Sequence, residues 1–353
     1  MKYLSLFSGI GGFEVGIQNS KYGDKLECIG YSEIDKYAET IYKHHFPTRV
    51  VEGRELHRAY GDVTKLKTTD LPDFDLLVGG FPCQSFSVAG KRRGFDDTRG
   101  TLFFEIARIL RDKRPRYLLL ENVKGLLSHD KGETFKTILT VLSSLGYNVS
   151  WEILNSKDFG VPQNRERIFI KGYLREKCGA EVLHIRRPQE EPPSKQITKD
   201  TNKLMKMNNR AQAQTIYSTD GISCTLSACG GGDGGKTGLY AIPNDFKKVD
   251  DDTYFTTTRQ GDAFSVTTRF RSRPLKKKQD NYVGEVENED FKVRRLIPLE
   301  CERLQGFEDG WTDIEMDGKP ISDTQRYKCC GNAVTTNVIT HIFNNWDLDL
   351  EDD

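Results

Sequence analysis

A cysteine stands at the predicted end of a strand, where it could act as a nucleophile. Cys83 follows Gly79-Gly80 and Pro82, just after the apolar run of residues 75–78. A free thiol is only a few per cent thiolate at neutral pH, but turn amides and nearby cations lower its pKa and activate it. The loop that follows is basic, with Lys91, Arg92, Arg93 and Arg99. A buried, inert cysteine is the ordinary alternative, but this position favours a nucleophile.

Three other groups of residues with useful chemistry also follow apolar runs. They are the glycine-rich turn of residues 7–12, the acid Glu33 and the acid Glu121. In a parallel sheet, ligands collect at the carboxyl ends of the strands, so these groups should share one rim with Cys83. Glycines let a backbone approach a ligand closely. Glu121 could instead be solvated or cap a helix, but its position makes it a candidate acid partner for Cys83.

The turn and Glu33 together indicate a nucleotide-type ligand, although a plain tight turn is an open alternative. A glycine turn followed by an acid about 20 residues later is also typical of dinucleotide sites. That motif requires glycine at position 14, where this chain has Glu14. An acid suits the two hydroxyls of a ribose and serves a pyrophosphate poorly. A nucleoside without phosphates is therefore the better prediction.

The elements that position these residues alternate between apolar runs and helical patterns. Strands are predicted at residues 3–7, 26–32, 75–78, 117–120, 151–155 and 167–173. Helices are predicted at 14–20, 34–44, 102–111 and 134–145, with two more beginning at Pro298 and after Asn332. This alternation is the signal of an α/β fold built around a parallel sheet.

A second, smaller domain is predicted inside the first. A proline-rich linker begins at Arg186, and the residues after it are rich in Gly, Ser, Thr and Asn with little helical periodicity. Helical patterning returns at Leu296. We therefore expect residues 1–185 with 322–353 to form the catalytic, ligand-binding domain. Residues 186–321 would form an irregular domain and its hinge.

Composition limits the partners of the chain. Its net charge is zero, which by itself argues against nucleic acid, and a solvated loop is the ordinary interpretation of the basic run between residues 259 and 278. The eight cysteines form no C-x-x-C pair and no spaced Cys/His set, so we expect no metal site. No apolar run is long enough for a membrane span, and no signal-peptide pattern begins the chain, so a cytoplasmic protein is expected.

The segment Phe81-Pro82-Cys83-Gln84-Ser85-Phe86-Ser87 resembles the catalytic motif of the bacterial and phage cytosine-5 DNA methyltransferases of restriction-modification type. Other segments are similar to motifs of that family and occur in the family's order: residues 4–12, 61–63, 121–123, 163–167, 294–307 and 331–334. The resemblance extends over the chain except for about residues 186–290. It implies a Rossmann-like S-adenosylmethionine-dependent methyltransferase sheet with an inserted target-recognition domain.

The resemblance also implies a mechanism on a cytosine flipped out of double-stranded DNA. Cys83, preceded by Pro82 of the same motif, would add to carbon 6 and activate carbon 5 for methylation. Glu121 would hold ring nitrogen 3. Arg165, and with it Arg167, would contact the oxygen on carbon 2 and stabilise the charged adduct.

Binding residues follow from the same resemblance. S-Adenosylmethionine would contact Phe7, Ser8, Gly9, Gly11, Gly12, Glu33, Ile34, Asp62, Val63, Gly80, Asn332 and Ala333. DNA would contact Gln84, Ser87, Lys91, Arg92, Arg93, Arg99, Arg259, Arg269, Arg271 and Arg273. With DNA as substrate, the basic run at 259–278 becomes a candidate phosphate-binding surface.

Three positions depart from the family pattern. Ser5 replaces an acid, Ile34 replaces a tryptophan that stacks on adenine in some members, and Ala333 replaces a serine.

Two alternative functions stay open. A transfer-RNA cytosine-5 methyltransferase has the same fold but little target-reading insertion. A catalytically silent DNA-binding regulator could lose Cys83 or Glu121. We expect a monomer in the cytoplasm of a bacterium or of a phage's bacterial host, with a separately acting restriction endonuclease as a candidate partner.

Overall fold

The structure is a computed structural model that describes residues 1–82, 102–175, 222–226 and 296–350. Between residues 203 and 294 it also describes six strands, of whose side chains only Tyr240 is described. Within the described residues, no helix combines the length and apolar character needed to cross a lipid bilayer.

The described residues up to 175 contain nine strands. They are β1 Lys2–Leu6, β2 Glu27–Ser32, β3 Arg49–Val51, β4 Arg54–Leu56, β5 Arg58–Ala59, β6 Leu76–Gly80, β7 Tyr117–Val123, β8 Tyr147–Asn155 and β9 Glu166–Leu174. Strands β3 and β4 form a hairpin, and the other seven form one sheet in the order β5-β2-β1-β6-β7-β9-β8. The first five strands of this order, β5, β2, β1, β6 and β7, run parallel to one another. Strand β9 is antiparallel to both of its neighbours, β7 and β8.

Eight further strands belong to smaller sheets. They are β10 Lys203–Lys206, β11 Thr215–Ser218, β12 Leu239–Pro243, β13 Tyr254–Gln260, β14 Ala263–Arg269, β15 Phe291–Arg294, β16 Glu315–Met316 and β17 Lys319–Pro320. Strands β10, β11, β12 and β15 form one sheet in that order. Strands β13 and β14 form a hairpin, as do β16 and β17.

Helices cover both faces of the central sheet. They are α1 Gly12–Gln18, α2 Lys36–His45, α3 Leu102–Lys113, α4 Glu133–Ser144, α5 Pro298–Leu304, α6 Asp323–Asn332 and α7 Thr336–Asn344. Helices α3 and α4 pack with Leu77 on one face, and α1 and α7 pack with Leu76 and Val78 on the other. Side chains alternate between the faces along a strand, so a strand covered on both sides is apolar throughout.

Helices α1 and α7 approach each other closely because of a missing side chain. A Cβ added to Gly16 would lie 2.4 Å from the Cβ of Ile339. Only glycine fits at such a contact. At the start of α1, a Cβ on Gly12 would lie 2.7 Å from Cγ1 of Val334, so both ends of the helix are held against the C-terminal part of the chain.

A buried acid joins α5 to α6. The carboxylate of Glu302 is fully buried and accepts hydrogen bonds from the backbone of Gly310 at 2.8 Å and of Thr312 at 3.0 Å. It also accepts one from Arg326 at 3.2 Å. A buried carboxylate needs this many donors to offset the loss of water. Residues 307–321 are thereby held in the same hydrophobic cluster as Ile10 of the turn after β1 and Tyr31 of β2.

The predicted α/β class with an inserted domain is confirmed, and every predicted strand of the central sheet is present within a few residues of its expected ends. Helix α6 and the hairpin β3–β4 were not predicted. The α6 sequence has no apolar periodicity, and its position depends on the Glu302–Arg326 contact. The proposed domain boundaries stay a prediction. Residues 307–321, assigned to the inserted domain, pack in one cluster with Tyr31 of the central sheet.

Candidate active site

The turn after β1 adopts a backbone conformation that side chains disfavour. Phe7, Gly9 and Gly11 have φ values of 54°, 58° and 90°. A non-glycine residue such as Phe7 in this region is strained, which is typical of binding sites. A Cβ on Gly9 would meet no atom within 4 Å, so Gly9 faces open space. Gly11 instead packs against Phe46, and Gly12 packs against Val334.

The carboxylate of Glu33 is held across the ends of β1 and β2. Its Oε2 accepts a hydrogen bond from the backbone of Gly9 at 2.9 Å, and its Oε1 accepts from those of Ile34 and Asp35 at 2.8 Å. Oε2 keeps a second lone pair, with which it can accept a hydrogen bond from a ligand hydroxyl. The adjacent Ile34 is 75% exposed and places an apolar surface beside the carboxylate.

The loop of Asp62 and Val63 is tied to the end of β2. The hydroxyl of Ser32 donates to the carbonyl of Gly61 at 2.6 Å, and Val63 is buried. Oδ1 of Asp62 accepts from both the N–H and the hydroxyl of Thr64 at 2.9 and 2.7 Å. These bonds lower the pKa of Asp62. The loop therefore presents an ionised hydrogen-bond acceptor next to the β1 and β2 ends.

Helix α6 brings Asn332 and Ala333 to the same side of the sheet. Ala333 packs in one cluster with Ile10, whereas Asn332 is exposed. Nζ of Lys328 donates to Oδ2 of Asp35 at 2.5 Å, and this bond raises the pKa of Lys328. The sequence analysis missed this ion pair because its partners are 293 residues apart.

These elements fit a nucleoside ligand such as S-adenosylmethionine. Glu33 offers a sugar an anionic acceptor, Ile34 offers an apolar contact, and Gly9 leaves the backbone accessible. The buried hydroxyl of Ser8, in the same turn, makes no hydrogen bond with any described residue and is a further polar group for a ligand.

The end of β6 is fixed by a buried asparagine of β7. Asn122 is buried, and its side-chain amide donates to the carbonyl of Phe81 at 2.7 Å. Phe81 is buried in turn, and Pro82 after it is exposed. The chain therefore emerges from the sheet at Pro82, one residue before Cys83. Asn122 had no predicted role, although a polar residue in the otherwise apolar β7 is a signal of one.

An acid and an arginine meet beside this exit. Glu121 pairs with Gly80 in the β6–β7 register, and Val123 pairs with Arg167 between β7 and β9. Nε of Arg167 lies 3.0 Å from Oε1 of Glu121, and both side chains are largely buried. A Cβ on Gly80 would lie 3.1 Å from Oε2 of Glu121, so the glycine makes room for that oxygen. The structure thus brings together Gly80, Glu121 and Arg167.

The side chain of Arg165 has different hydrogen-bond partners from that of its neighbour Arg167. Its guanidinium is buried and donates to the carbonyls of Leu226 at 3.3 Å, Gly331 at 3.2 Å and Ala333 at 2.7 Å. Burial and the nearby charge of Arg167 lower the pKa of Arg165 to about 9, so it stays cationic at neutral pH. In this structure Arg165 holds backbone carbonyls, and its predicted contact with a base stays a prediction.

A buried polar cluster lies behind the glycine-rich turn. Glu14 of α1 is fully buried, and its Oε1 accepts a hydrogen bond from the hydroxyl of Tyr42 at 3.1 Å. Nδ1 of His57 lies 3.1 Å from the same hydroxyl. Burial raises the pKa of Glu14 to about 7 and lowers that of His57 to about 4.

Several predicted residues cannot be placed. The predicted site residues outside the described part of the chain are Cys83, Gln84, Ser87, Lys91, Arg92, Arg93, Arg99, Arg271 and Arg273. Arg259 and Arg269 lie in β13 and β14, in register with Phe264 and Tyr254, and only the backbone of these strands is described.

The chain as a whole is similar to proteins that are already known. Residues 1–347 match the family model described as C-5 cytosine-specific DNA methylase. The Type II methyltransferase M1.ScrFI of Lactococcus lactis subsp. cremoris is 39% identical over 338 residues, covering 96% of this chain and 76% of that protein. M.HhaI, a Type II methyltransferase of Haemophilus parahaemolyticus, is 31% identical over 372 residues, covering 98% and 94%. The S. pombe Dnmt2 methyltransferase has the same fold, with a TM-score of 0.63, 18% identity and coverage of 98% and 97%.

Proposed function

This chain belongs to the family of C-5 cytosine-specific DNA methylases, and from that premise we propose that it methylates carbon 5 of cytosine within a short specific sequence of double-stranded DNA. The methyl donor is S-adenosylmethionine. The observation that carries this assignment to the site is the Glu121–Arg167 pair, which lies where the chain leaves β6 for Cys83.

Cys83 is the proposed nucleophile. The chain reaches it from Phe81, whose carbonyl is held by Asn122. Its thiolate adds to carbon 6 of the ring, and the electron pair displaced from the carbon 5–carbon 6 double bond makes carbon 5 nucleophilic. After carbon 5 is methylated, loss of its proton restores the double bond and expels Cys83 as thiolate.

Glu121 and Arg167 stabilise the charge that this addition creates. Glu121 holds ring nitrogen 3 by a hydrogen bond or proton donation, and the arginine contacts the oxygen on carbon 2. Such preorganised groups act strongly because they are fixed before the reaction and shielded from water. Arg167 is favoured over Arg165 for the contact, because Arg167 adjoins Glu121 whereas Arg165 donates to buried carbonyls.

The donor site is assigned to the turn after β1 and the residues around it. When bound, S-adenosylmethionine supplies an electrophilic methyl group on a sulfonium. Glu33 accepts from the ribose, Ile34 contacts the adenine, and the accessible backbone at Gly9 lets the ligand approach the sheet. The other predicted cofactor residues surround them: Phe7, Ser8, Gly11, Gly12, Asp62, Val63, Gly80, Asn332 and Ala333.

Base flipping and recognition involve the parts of the chain outside the sheet. A cytosine inside a duplex is inaccessible to Cys83, so it must leave the stack at a cost of a few kcal/mol. The basic loop after Cys83 and the run at residues 259–278 are proposed to contact DNA. The Type II relatives support a role as the modification enzyme of a restriction-modification system, with a separate endonuclease as partner.

Bisulfite sequencing tests the reaction and discloses the target. Plasmid DNA from a methylation-deficient bacterium that expresses this chain should contain protected cytosines at one short recurring sequence. The Cys83→Ser variant should give no protection and yet bind S-adenosylmethionine. Absence of protection by abundant, folded wild-type protein would refute the DNA assignment, and transfer RNA would then be tested as substrate.

A duplex that contains 5-fluorocytosine tests the covalent step separately. With S-adenosylmethionine present, carbon 5 is methylated but its fluorine cannot leave as the proton does, so the methylated adduct should persist and be identified on Cys83 by peptide mass spectrometry. Methylation of ordinary cytosine without a trapped adduct, or an adduct on a different cysteine, would show that Cys83 is not the nucleophile.

A further inference from the structure

One buried guanidinium touches two parts of the chain that lie far apart in sequence. Nη1 of Arg165 donates to Leu226, and Nη2 donates to Gly331 and Ala333. Leu226 lies within residues 186–321, the predicted target-recognition domain and its hinge. Gly331 and Ala333 flank Asn332, a proposed cofactor contact. Arg165 therefore lies between the region that should read DNA and the region that should hold the donor.

A second residue of the same segment strengthens the junction. Gln163 is fully buried; its Oε1 accepts from the backbone of Leu226 at 3.0 Å, and its Nε2 donates to the carbonyl of Leu304 at 2.7 Å. Residues 162–164 also pair with Ser223 through the backbone, by two hydrogen bonds of 2.7 and 2.8 Å. An isolated β-bridge between Gln163 and Ser223 thus binds the segment 222–226 to the loop that precedes β9.

Arginine is the side chain that this geometry requires. Among the described residues the hydrogen bonds of the Arg165 guanidinium all go to carbonyl oxygens, its Nε has no hydrogen-bond partner, and the charge of Glu121 acts on it without a direct contact. A guanidinium carries donors on separate nitrogens and so spans carbonyls that lie apart, whereas the three donors of lysine are all on one nitrogen. A movement of residues 222–226 that withdrew the Leu226 carbonyl would leave a buried cation short of an acceptor, which is costly. The two sides are therefore energetically linked.

We propose that Arg165 is a positioning residue that couples DNA binding at the recognition domain to donor binding at the turn 331–333. The inference rests on the proposed function. DNA that contacts the segment 222–226 and keeps it in place preserves the hydrogen bond between the Leu226 carbonyl and the guanidinium. The guanidinium in turn keeps its hydrogen bonds to the carbonyls of Gly331 and Ala333, on either side of Asn332. By reciprocity, donor binding strengthens DNA binding by the same factor.

The test is the affinity for S-adenosylhomocysteine, measured by calorimetry with and without a duplex that carries the sequence found by bisulfite sequencing. The ratio of the two dissociation constants measures the coupling. In Arg165→Lys that ratio should fall at least about fivefold, the lower end of typical couplings. Arg116→Lys is the matched control, because Arg116 is also buried but pairs with Asp349 away from the rim. Its ratio should equal that of the wild type.

The outcomes separate this inference from the proposed function. A wild type that methylates DNA but shows no coupling overturns the inference alone, as does an Arg165→Lys protein with the wild-type ratio. A wild type that does not methylate DNA refutes the proposed function. If Arg165→Lys does not fold, Gln163→Met loosens the same junction without burying an unpaired charge, and the ratio should fall again.

Hydrogen exchange on the wild type gives a test without substitution. Addition of the duplex should slow exchange in a peptide containing residues 331–335 as well as in one containing 222–226. Protection confined to residues 222–226 would overturn the coupling.

Discussion

Replacement of Glu14 by glutamine should make the protein more stable at alkaline pH and leave it nearly unchanged at acid pH. Glu14 lies fully buried behind the glycine-rich turn and is bonded by Tyr42. Burial raises its pKa from 4.5 to about 7. Between these two values the folded state binds more protons at this site than the unfolded state. The contribution of Glu14 to stability is therefore present below pH 4.5 and is lost as the pH rises through 7.

The magnitude follows from the two pKa values. The difference between 4.5 and about 7 corresponds to at most about 3 kcal/mol, at roughly 1.4 kcal/mol for each pH unit. Glutamine keeps the shape and the acceptor for Tyr42 but cannot ionise. The free energy of unfolding of Glu14→Gln, relative to the wild type, should accordingly rise by up to about 3 kcal/mol between pH 4.5 and pH 8.

Nearby His57 acts in the opposite direction. Burial and the charge of Arg49 lower its pKa from 6.5 to about 4, so its contribution to stability grows as the pH rises from 4 to 6.5. The wild-type profile should therefore be flatter than the Glu14 contribution alone. His57 is present in both proteins, so its contribution largely cancels when the variant is compared with the wild type.

Urea unfolding followed by circular dichroism at pH values from 4.5 to 8.5 provides the assay. Glu308→Gln is the control, because Glu308 is an exposed glutamate and its replacement should give a constant difference from the wild type. The reasoning is refuted if the difference between Glu14→Gln and the wild type is also constant across this range, or falls as the pH rises.

Three other substitutions test separate features. Gly80→Ala places a Cβ 3.1 Å from Oε2 of Glu121 and should lower kcat by about tenfold while S-adenosylhomocysteine binding persists; an unchanged kcat contradicts the need for that space. Replacing Arg271 and Arg273 with glutamine should reduce the slope of log affinity for DNA against log salt by about two, and an equal slope would indicate a solvated loop. Lys171→Met should raise the free energy of unfolding at pH 7 by about 1 kcal/mol in urea titrations, because Lys171 is buried with no hydrogen bond to a described residue. Burial lowers its pKa to about 8, so wild-type stability should rise above pH 8 and the gain should shrink; a gain that grows there contradicts this account.

Much of the sheet could be predicted because its signals are local. Strand β7 is an apolar run that ends in Glu121-Asn122, and β2 is one that ends before Glu33. A parallel strand buried on both faces must be apolar along its length, and its carboxyl end must lie on the common rim. These two rules are enough to place Gly9, Glu33, Pro82 and Glu121 near one another before any coordinates are known.

Other features depend on contacts between distant residues. Arg165 and Arg167 are two positions apart and of one type, and a strand pattern would place them on one face. Arg167 meets Glu121 across β7, whereas Arg165, just before β9, is drawn to carbonyls 61 to 168 residues away. A buried guanidinium must be hydrogen-bonded, and the backbone carbonyls that accept from Arg165 come near it only when the chain is folded.

The sequence by itself determined that Gly9, Glu33, Pro82 and Glu121 follow the ends of strands that share one rim, because residue type and strand periodicity are local properties. Only the tertiary structure decided which arginine adjoins Glu121, that Glu14 is buried beside Tyr42, and that Lys328 holds Asp35. Burial and hydrogen-bond partners are set by segments that meet on folding, so no local pattern encodes them.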